Sequence, residues 1–588
     1  MRPNVNHSRT KKTFIVNLIK SKFIVFCLAI IALSQHSFAQ NSLYIPPVLN
    51  GPNYDLTMQN GTTTFITGHP SATMGFNGNV LGPTLMMQAG QEVNINVLNS
   101  IGEEATVHWH GLHISAENDG GPHSVIAANQ TFSPAFTVLN KAATYWYHPH
   151  LHTNTDKQVS KGLQGMIIVK DAEEAALNLP RTYGVDDFPL IVQTKSIDPA
   201  TGNIRYVSLD YSNSDGNKDD VKMVNATMNP YLNVPRQLVR FRLLNASDHR
   251  VFEFGLSNSS NFNQIASDGG LLAAPYTINR LRLAPGERAE ILIDFSTYAV
   301  GTNIQLMSFA AELPNGLWGA AMSYPGGNSP GYSPNPLNGT NFSLLEFKVT
   351  AATANPITSY PSTLATVTRI PAGNATVNRY KFFSEGSSSN PSVMGDYTPQ
   401  NTTPPSSSPY QENVVNERIK LNATEIWELQ CYDGQFHPFH LHDVGFFILD
   451  RKVGNNPAVP PSPGEQGLKD VVLINPGEIV RIITKFTDFT SDVPFVYHCH
   501  ILPHEDTGMM HQFTVSDDIY VNSTNTGITT ENGSSTYPYH TIRAALNAAQ
   551  DGSTLIFISS GDHIETPPDL LINKNVKMKF LSASITIK

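Results

Sequence analysis

The sequence predicts an all-β protein, and three observations carry that reading. Apolar and polar residues alternate over many short runs, as in Glu92-Val93-Asn94-Ile95-Asn96-Val97 and Val239-Arg240-Phe241-Arg242-Leu243-Leu244. A period of two is that of a strand with one face buried. Glycine and proline are plentiful, at 41 and 40 residues, which suits turns between many short strands. At 588 residues the chain is too long for one core and predicts three or four domains.

Residues 1–39 read as a signal peptide. Arg2, Arg9, Lys11, Lys12, Lys20 and Lys22 form a basic stretch without an acid. Phe23–Leu33 is an apolar core too short to span a bilayer, and Ser37-Phe38-Ala39 offers small residues for cleavage. Export to the periplasm or the outside is expected, with no stable membrane insertion once the signal is removed. An anchor that stays uncut is the alternative. Losing those six positive charges takes the formal net charge from −10 to −16. Such an acidic chain argues against nucleic acid or an anionic membrane as partner. Cys27 leaves with the signal, so Cys431 and Cys499 are too few for a disulfide framework. Cys431 reads as a buried strand thiol, with a role near His437 as the sharper alternative.

The first domain is expected over 45–175. Thr106-Val107-His108-Trp109-His110 and Tyr145-Trp146-Tyr147-His148 read as strands, and each carries or leads into a His-x-His pair: His108/His110 and His148/His150. Alternation along a strand puts both imidazoles of such a pair on one face. Asp119 stands before Gly120-Gly121, where a turn is one reading. His113, His123 and His152 lie nearby and read as structural or surface residues.

The second domain, 185–350, holds no His-x-His pair and no cysteine, and reads as a spacer. Residues 313–341 and 385–411 are rich in Gly, Ser, Pro and Asn and read as surface loops or linker.

The third domain, 360–517, carries the densest chemistry. After the strand Glu425–Leu429 comes His437-Pro438-Phe439-His440-Leu441-His442, a third pair (His440/His442) plus a spare histidine. Then His498-Cys499-His500-Ile501-Leu502-Pro503-His504-Glu505-Asp506-Thr507-Gly508-Met509 opens on a strand, Val493–Tyr497, and continues as a loop. Cys499 faces one way and His498 and His500 the other. A thiolate, imidazoles and a weak thioether are the ligands of a blue-copper electron-transfer site, and His437, Cys499, His504 and Met509 supply them. Zinc would want closed tetrahedral Cys/His sets, into which eight paired imidazoles and one cysteine do not divide.

The last stretch, 530–588, differs. A short helix around Tyr537–Leu546 precedes strands at Thr554–Ile558 and 576–581 around a Gly561-Asp562 turn. It resembles the entrance and first coils of a right-handed parallel β-helix. One or two coils cannot bury a solenoid core, so a longer natural chain is expected, or a small appended β domain. Contact with polysaccharide or a cell surface is a further expectation for this segment.

Together, the four histidine motifs resemble the multicopper oxidase family, which includes laccases. All four occur in the family's order with twelve ligand positions filled, over roughly 45–517. The resemblance implies three consecutive cupredoxin-like Greek-key sandwiches and four coppers per chain: one type 1, one type 2 and a type 3 pair. It implies type 1 copper on His437, Cys499, His504 and Met509, and type 2 copper on His108 and His440. His110, His148, His150, His442, His498 and His500 would hold the type 3 pair. Electrons from a small reducing substrate would enter at type 1 copper, cross through Cys499 to His498 and His500, and reduce O2 to water. Asp119 and Glu505 take the places of family acids that relay protons, and Asp433 that of an acid supporting His437 or the substrate. Asp443 stands where the family has glycine. Phenols or aromatic amines are the expected donors. A cuprous oxidase would want a Met-rich segment, and 300–420 holds only Met307, Met322 and Met394, with Gln435 beside the site. Metal-ion oxidation, and a copper-free structural or adhesion role, are the alternatives.

Overall fold

The computed structural model describes residues 40–587 apart from 206–218, 323–335, 385–391, 400–405, 491, 525–530, 532, 534–537, 550–552, 564–571 and 582–584. The expected signal peptide, 1–39, lies outside the described residues. Among these residues no helix is long and apolar enough to cross a membrane.

Strands dominate, and they pair in facing sheets. The first sandwich sets the sheet Val48–Asn50, Thr84–Gln88, Gly165–Lys170, Ala143–His148 and His108–His110 against one built on His69–Phe76, Asn53–Ile66 and Glu92–Ser100. Val93, Ile95 and Val97 point into their shared core while Asn94, Asn96 and Leu98 point out, as the alternation predicts. The second sandwich is built on Asp187–Ile197, Leu238–Asn245, Arg288–Asp294 and Phe262–Ser267, facing Phe342–Thr350, Asn303–Ser308 and Phe252–Leu256. The third sets Val377–Ser384, Thr424–Cys431, Glu478–Lys485 and Phe446–Val453 against Met510–Ser516, Phe495–Cys499, His437–Leu441 and Val471–Ile474. One apolar cluster runs from Phe241 and Phe347 in the second to Trp427 and Phe439 in the third.

Several expected boundaries move. The strand expected to close at Tyr497 runs on through Cys499, because it pairs antiparallel with His437–Leu441. The expected loop after it contains a helical turn, Leu502–Asp506, opened by Pro503 in its first turn. Within the expected linker 385–411, Val393–Asp396 is a strand paired with Val377–Ser384. The expected Gly561-Asp562 turn is instead a strand, Gly561–His563, parallel to Ile585–Ile587. Ile519–Val521, Thr554–Phe557 and Lys577–Phe580 also pair parallel, and Ile542–Ala548 is the short helix beside them.

The first and second sandwiches meet through charge. Glu290 accepts from Arg242 Nη1 (2.6 Å), Arg240 Nε (2.8 Å) and Thr144 Oγ1 (2.8 Å), the last from the first sandwich. Arg240 also reaches Glu174 at 2.7 Å, and Arg242 reaches Asp187 at 2.8 Å. All these groups are buried. Removing one partner of a buried ion pair strands the rest at a cost of roughly 3–5 kcal/mol. Glu290→Leu is therefore expected to lower the thermal midpoint by several degrees, measured by calorimetry; an unchanged midpoint would show the network to be idle.

Candidate metal centres

Strand register brings the histidine motifs together. His108 lies directly opposite His148, and His110 opposite Trp146. In the third sandwich His440 lies opposite His498, and Phe439 opposite Cys499. Each pair's alternate residues therefore share one face, and the two faces meet: His108 stacks on His442 and His110 on His440, both at 3.8 Å between ring centroids. His110, His148 and His500 bring one nitrogen each within 4.8 Å of one another, and so do His150, His442 and His498. His108 and His440 complete a third group with His110. All eight predicted residues of the interior cluster converge.

The outer nitrogen of most of these rings is tied down. His108 Nδ1 donates to the Asp119 carbonyl (3.0 Å), His440 Nδ1 to the Asp470 carbonyl (2.8 Å) and His148 Nδ1 to the Pro149 carbonyl (2.8 Å). His498 Nδ1 donates to the Cys499 carbonyl (3.0 Å), His442 Nδ1 to Asp119 Oδ2 (2.8 Å) and His110 Nε2 to Asp470 Oδ1 (3.1 Å). A neutral imidazole has one N–H, so each inner nitrogen is then a bare lone pair. Burial, followed by the neighbouring rings, pushes His110, His148, His150, His440 and His498 well below the usual imidazole range. Burial likewise takes His442 to about 4 and His500 to about 3.

The inner nitrogens consequently face one another with no proton to share. His110 Nδ1 lies 3.3 Å from His148 Nε2, and His150 Nε2 lies 3.1 Å from His498 Nε2. The Nε2 atoms of His108, His440, His442 and His500 are buried with no hydrogen-bond partner. Buried polar atoms without partners are rare and costly. A set of converging lone pairs is satisfied by cations, and nitrogen donors suit copper.

A second centre lies on the opposite face of the same strands. Cys499 Sγ is 3.5 Å from His437 Nδ1 and 3.7 Å from His504 Nδ1. The helical turn Leu502–Asp506 presents His504, which burial takes to about 3. Met509 is fully buried, and its carbonyl accepts from the Cys499 amide at 3.1 Å. Burial pushes the Cys499 thiol up, and coordination to a cation would deprotonate it. Cys499 is covalently continuous with His498 and His500, so one backbone joins the two centres.

The three predicted acids occupy different settings. Asp119 ends a helical turn, Ala116–Asp119, and Gly120 follows at φ +76°, where a Cβ would overlap the Val107 carbonyl. The structure thus has the turn, and it also places the Asp119 carboxylate against His108 and His442. Burial would raise the Asp119 carboxyl, but His108 and His442 hold it well below the usual range. Glu505 is fully buried, 3.3 Å from both His150 Nδ1 and His498 Nδ1, and burial keeps it well above the usual range. Thr155 Oγ1 donates to its Oε1 at 2.8 Å. Asp433, partly exposed, lies 3.3 Å from His437 Nε2.

Other residues were not legible beforehand. Asp470 joins His110, His440 and Arg288, whose guanidinium grips both its oxygens at 2.5 and 2.6 Å. Arg288 belongs to the second sandwich, which is therefore more than the expected spacer. Gly286, at φ +83°, packs its backbone on His500; a Cβ there would lie 2.9 Å from the ring. The only hint in sequence was a Lys469-Asp470 charge pair heading the apolar strand Val471–Ile474. Asp443 adopts φ +70°, the backbone that glycine would take, and its carboxylate meets His113 Nδ1 at 2.8 Å. His113 and His123 face Asp488 and Gln512, and His152 packs on Tyr410, all outside the cluster. Cys431 is buried and donates to the Gln435 carbonyl at 2.8 Å, as a strand thiol would. Gly286→Val is expected to displace His500 and reduce bound copper per chain with the far-ultraviolet circular dichroism unchanged; full copper occupancy would contradict this packing.

Residues 57–174 and 384–518 match family models described as multicopper oxidase. Over 475 residues the chain is 32% identical to the multicopper oxidase mco of Staphylococcus haemolyticus, covering 79% of this chain and 89% of that one. It is 31% identical to the cell division protein FtsP of Sodalis glossinidius over 479 residues, covering 81% and 92%. Among solved structures, a laccase-like multicopper oxidase, CueO from the lignin-degrading bacterium Ochrobactrum sp., superposes with a TM-score of 0.68 at 30% identity, over 81% of this chain and all of that one. With its paired sandwiches and its converging lone pairs, the chain belongs to the multicopper oxidase family, copper-dependent oxidoreductases with O2 as electron acceptor.

Proposed function

We propose that the chain is an exported, laccase-like oxidase of small aromatic donors, phenols and aromatic amines. The converging, proton-free imidazole nitrogens carry the oxidase half of this reading. In it His437, Cys499, His504 and Met509 hold type 1 copper, and His108 and His440 hold type 2. His110, His148, His150, His442, His498 and His500 hold the type 3 pair. Bound copper supplies one-electron acceptance at the first centre and O2 reduction at the second. The sandwiches at 45–175, 185–350 and 360–517, with a separate 530–588 segment, are part of the same reading.

The residues around the coppers divide the remaining work. Asp119, held ionised, fixes His108 and His442 in the tautomers that point Nε2 inward. Glu505, held protonated, is the acid that can give a proton beside His150 and His498. Two carboxyls whose surroundings drive them apart in this way read as opposite partners in proton transfer.

The donor side favours aromatics. Trp318 is half-buried, and its indole N–H donates at 3.0 Å to Oε1 of Gln435, two residues before His437. It offers a flat apolar wall on the Gln435 side of the site, and Asp433, 3.3 Å from His437 Nε2, can take the proton a phenol loses with its electron. Gln435 supplies no soft thioether for Cu(I). A copper-free structural or adhesion role is the second reading, supported by the likeness to proteins named for cell division; copper loading with metal analysis separates the two, since sub-stoichiometric uptake supports the latter.

Oxygen uptake across a panel of phenols, aromatic amines, Cu(I), Fe(II) and Mn(II) tests the substrate. Metal turnover far above phenol turnover would overturn the aromatic assignment. Cys499→Ser is expected to abolish the blue absorption and oxygen uptake together. Trp318→Ala is expected to raise KM for phenols roughly tenfold, the loss of about one aromatic contact, with little change for ferrocyanide as an outer-sphere donor.

A further inference from the structure

The outer face of the third sandwich carries a run of tyrosines that ends beside the mononuclear centre. Along Thr424–Cys431, Trp427, Leu429 and Cys431 point into the core, while Glu428, Gln430 and the following Tyr432 alternate outward. On the neighbouring strand Tyr380 lies opposite Glu428 and Phe382 opposite Gln430, so they share that outer face. Tyr397 follows the edge strand Val393–Asp396, and its amide donates to the Tyr380 carbonyl at 3.1 Å. Ring centroids step from Tyr380 to Tyr397 at 5.8 Å and from Tyr397 to Tyr432 at 5.8 Å, both edge-to-face. Tyr432 immediately precedes Asp433, whose carboxylate lies 3.3 Å from His437 Nε2. The Tyr432 amide also donates to the Phe383 carbonyl at 3.1 Å, and the Phe383 ring stacks on His437 at 5.6 Å.

Edge-to-face rings pack well whether or not they carry hydroxyls. The middle ring has something more. Tyr397 is buried, and its hydroxyl donates to Glu428 Oε1 at 2.7 Å, while Tyr380 and Tyr432 on either side are half-buried. Burial, then Glu428, push the Tyr397 phenol far up, so at rest it keeps its proton. A phenol loses an electron most readily when its proton leaves at the same time, and a carboxylate at hydrogen-bond distance is a base already in place for that. The run thus has a solvent-facing ring at its outer end, a sheltered ring with a base in the middle, and a ring beside the His437 ligand shell at its inner end.

We propose that Tyr380, Tyr397 and Tyr432 form a second electron-entry route, which serves phenols borne on polymers too large to reach the wall at Trp318. This rests on the oxidase reading above. Tyr397 loses one electron, which passes inward by way of Tyr432 and reduces copper(II) to copper(I) at the His437, Cys499 and His504 centre. The Tyr397 O–H proton moves to Glu428. A donor phenol at Tyr380 then loses one electron, which reduces the Tyr397 radical as Glu428 returns the proton, and the donor's own proton leaves to solvent. The balance is one phenol oxidised to a phenoxyl radical, one copper reduced and one proton released.

The test mixes the copper-loaded chain, without oxygen, with a methoxyphenol coupled to dextran or with the same phenol free, and follows bleaching of the blue absorption. Tyr397→Phe keeps the ring and removes the hydroxyl. It is expected to slow bleaching by the coupled phenol roughly tenfold or more, through loss of the proton-coupled step, and to leave bleaching by the free phenol unchanged. Glu428→Gln keeps a hydrogen-bonding partner and removes the base; it is expected to slow the coupled phenol likewise, and it carries the test alone should Tyr397→Phe not fold. A second readout needs no copper. In the copper-free full chain, one-electron oxidation by flash-generated tris(bipyridyl)ruthenium(III) is expected to leave a long-lived tyrosyl radical, seen by electron paramagnetic resonance and lost in Tyr397→Phe. Equal coupled-phenol rates in wild type and either variant, or a radical that survives unchanged in Tyr397→Phe, overturn the proposal. A loaded wild type that free phenol does not bleach overturns the oxidase reading; where free phenol bleaches it and the coupled phenol ignores Tyr397, only the second route falls.

Discussion

Bare lone pairs that meet at about 3 Å repel, and the interior of this protein exists to hold them there. Every other feature of the site serves that constraint. Carbonyls of Asp119, Pro149, Asp470 and Cys499 each take the one N–H a neutral ring has, and so fix where the lone pair points. Burial opposes protonation of His110, His148, His150, His440, His442, His498 and His500. The sandwiches supply the stiffness, since a strand pair in register cannot let one ring swing away without breaking its ladder.

The same strands serve two centres because their period is two. His440 and His498 face the interior cluster, while His437 and Cys499 face the mononuclear one. The two candidate centres are thus joined by a single residue step. Around the cluster, the acids are graded rather than uniform. Imidazoles hold the Asp119 carboxyl down, whereas burial and the neighbouring Asp506 hold that of Glu505 up.

Much of this was legible in the sequence because it is local. Alternation predicts that the members of a His-x-His pair share a face, and ligand chemistry picks copper over zinc. The strand ends at Cys499, the helical turn under His504 and the strand at Gly561 were not, because they are set by pairing with distant segments. Asp470, Arg288 and Gly286 were invisible for a related reason. Each is an ordinary residue locally and acquires its role only where the second sandwich meets the third.

The interior cluster draws half its rings from residues before 151 and half from residues after 439. Until those segments meet, a nascent chain offers only isolated couples of histidines, which hold copper weakly. The complete cluster therefore exists only once the first and third sandwiches have come together. The salt bridge of Arg288 to Asp470 is a tie between the second and third sandwiches beside that cluster that needs no metal to form.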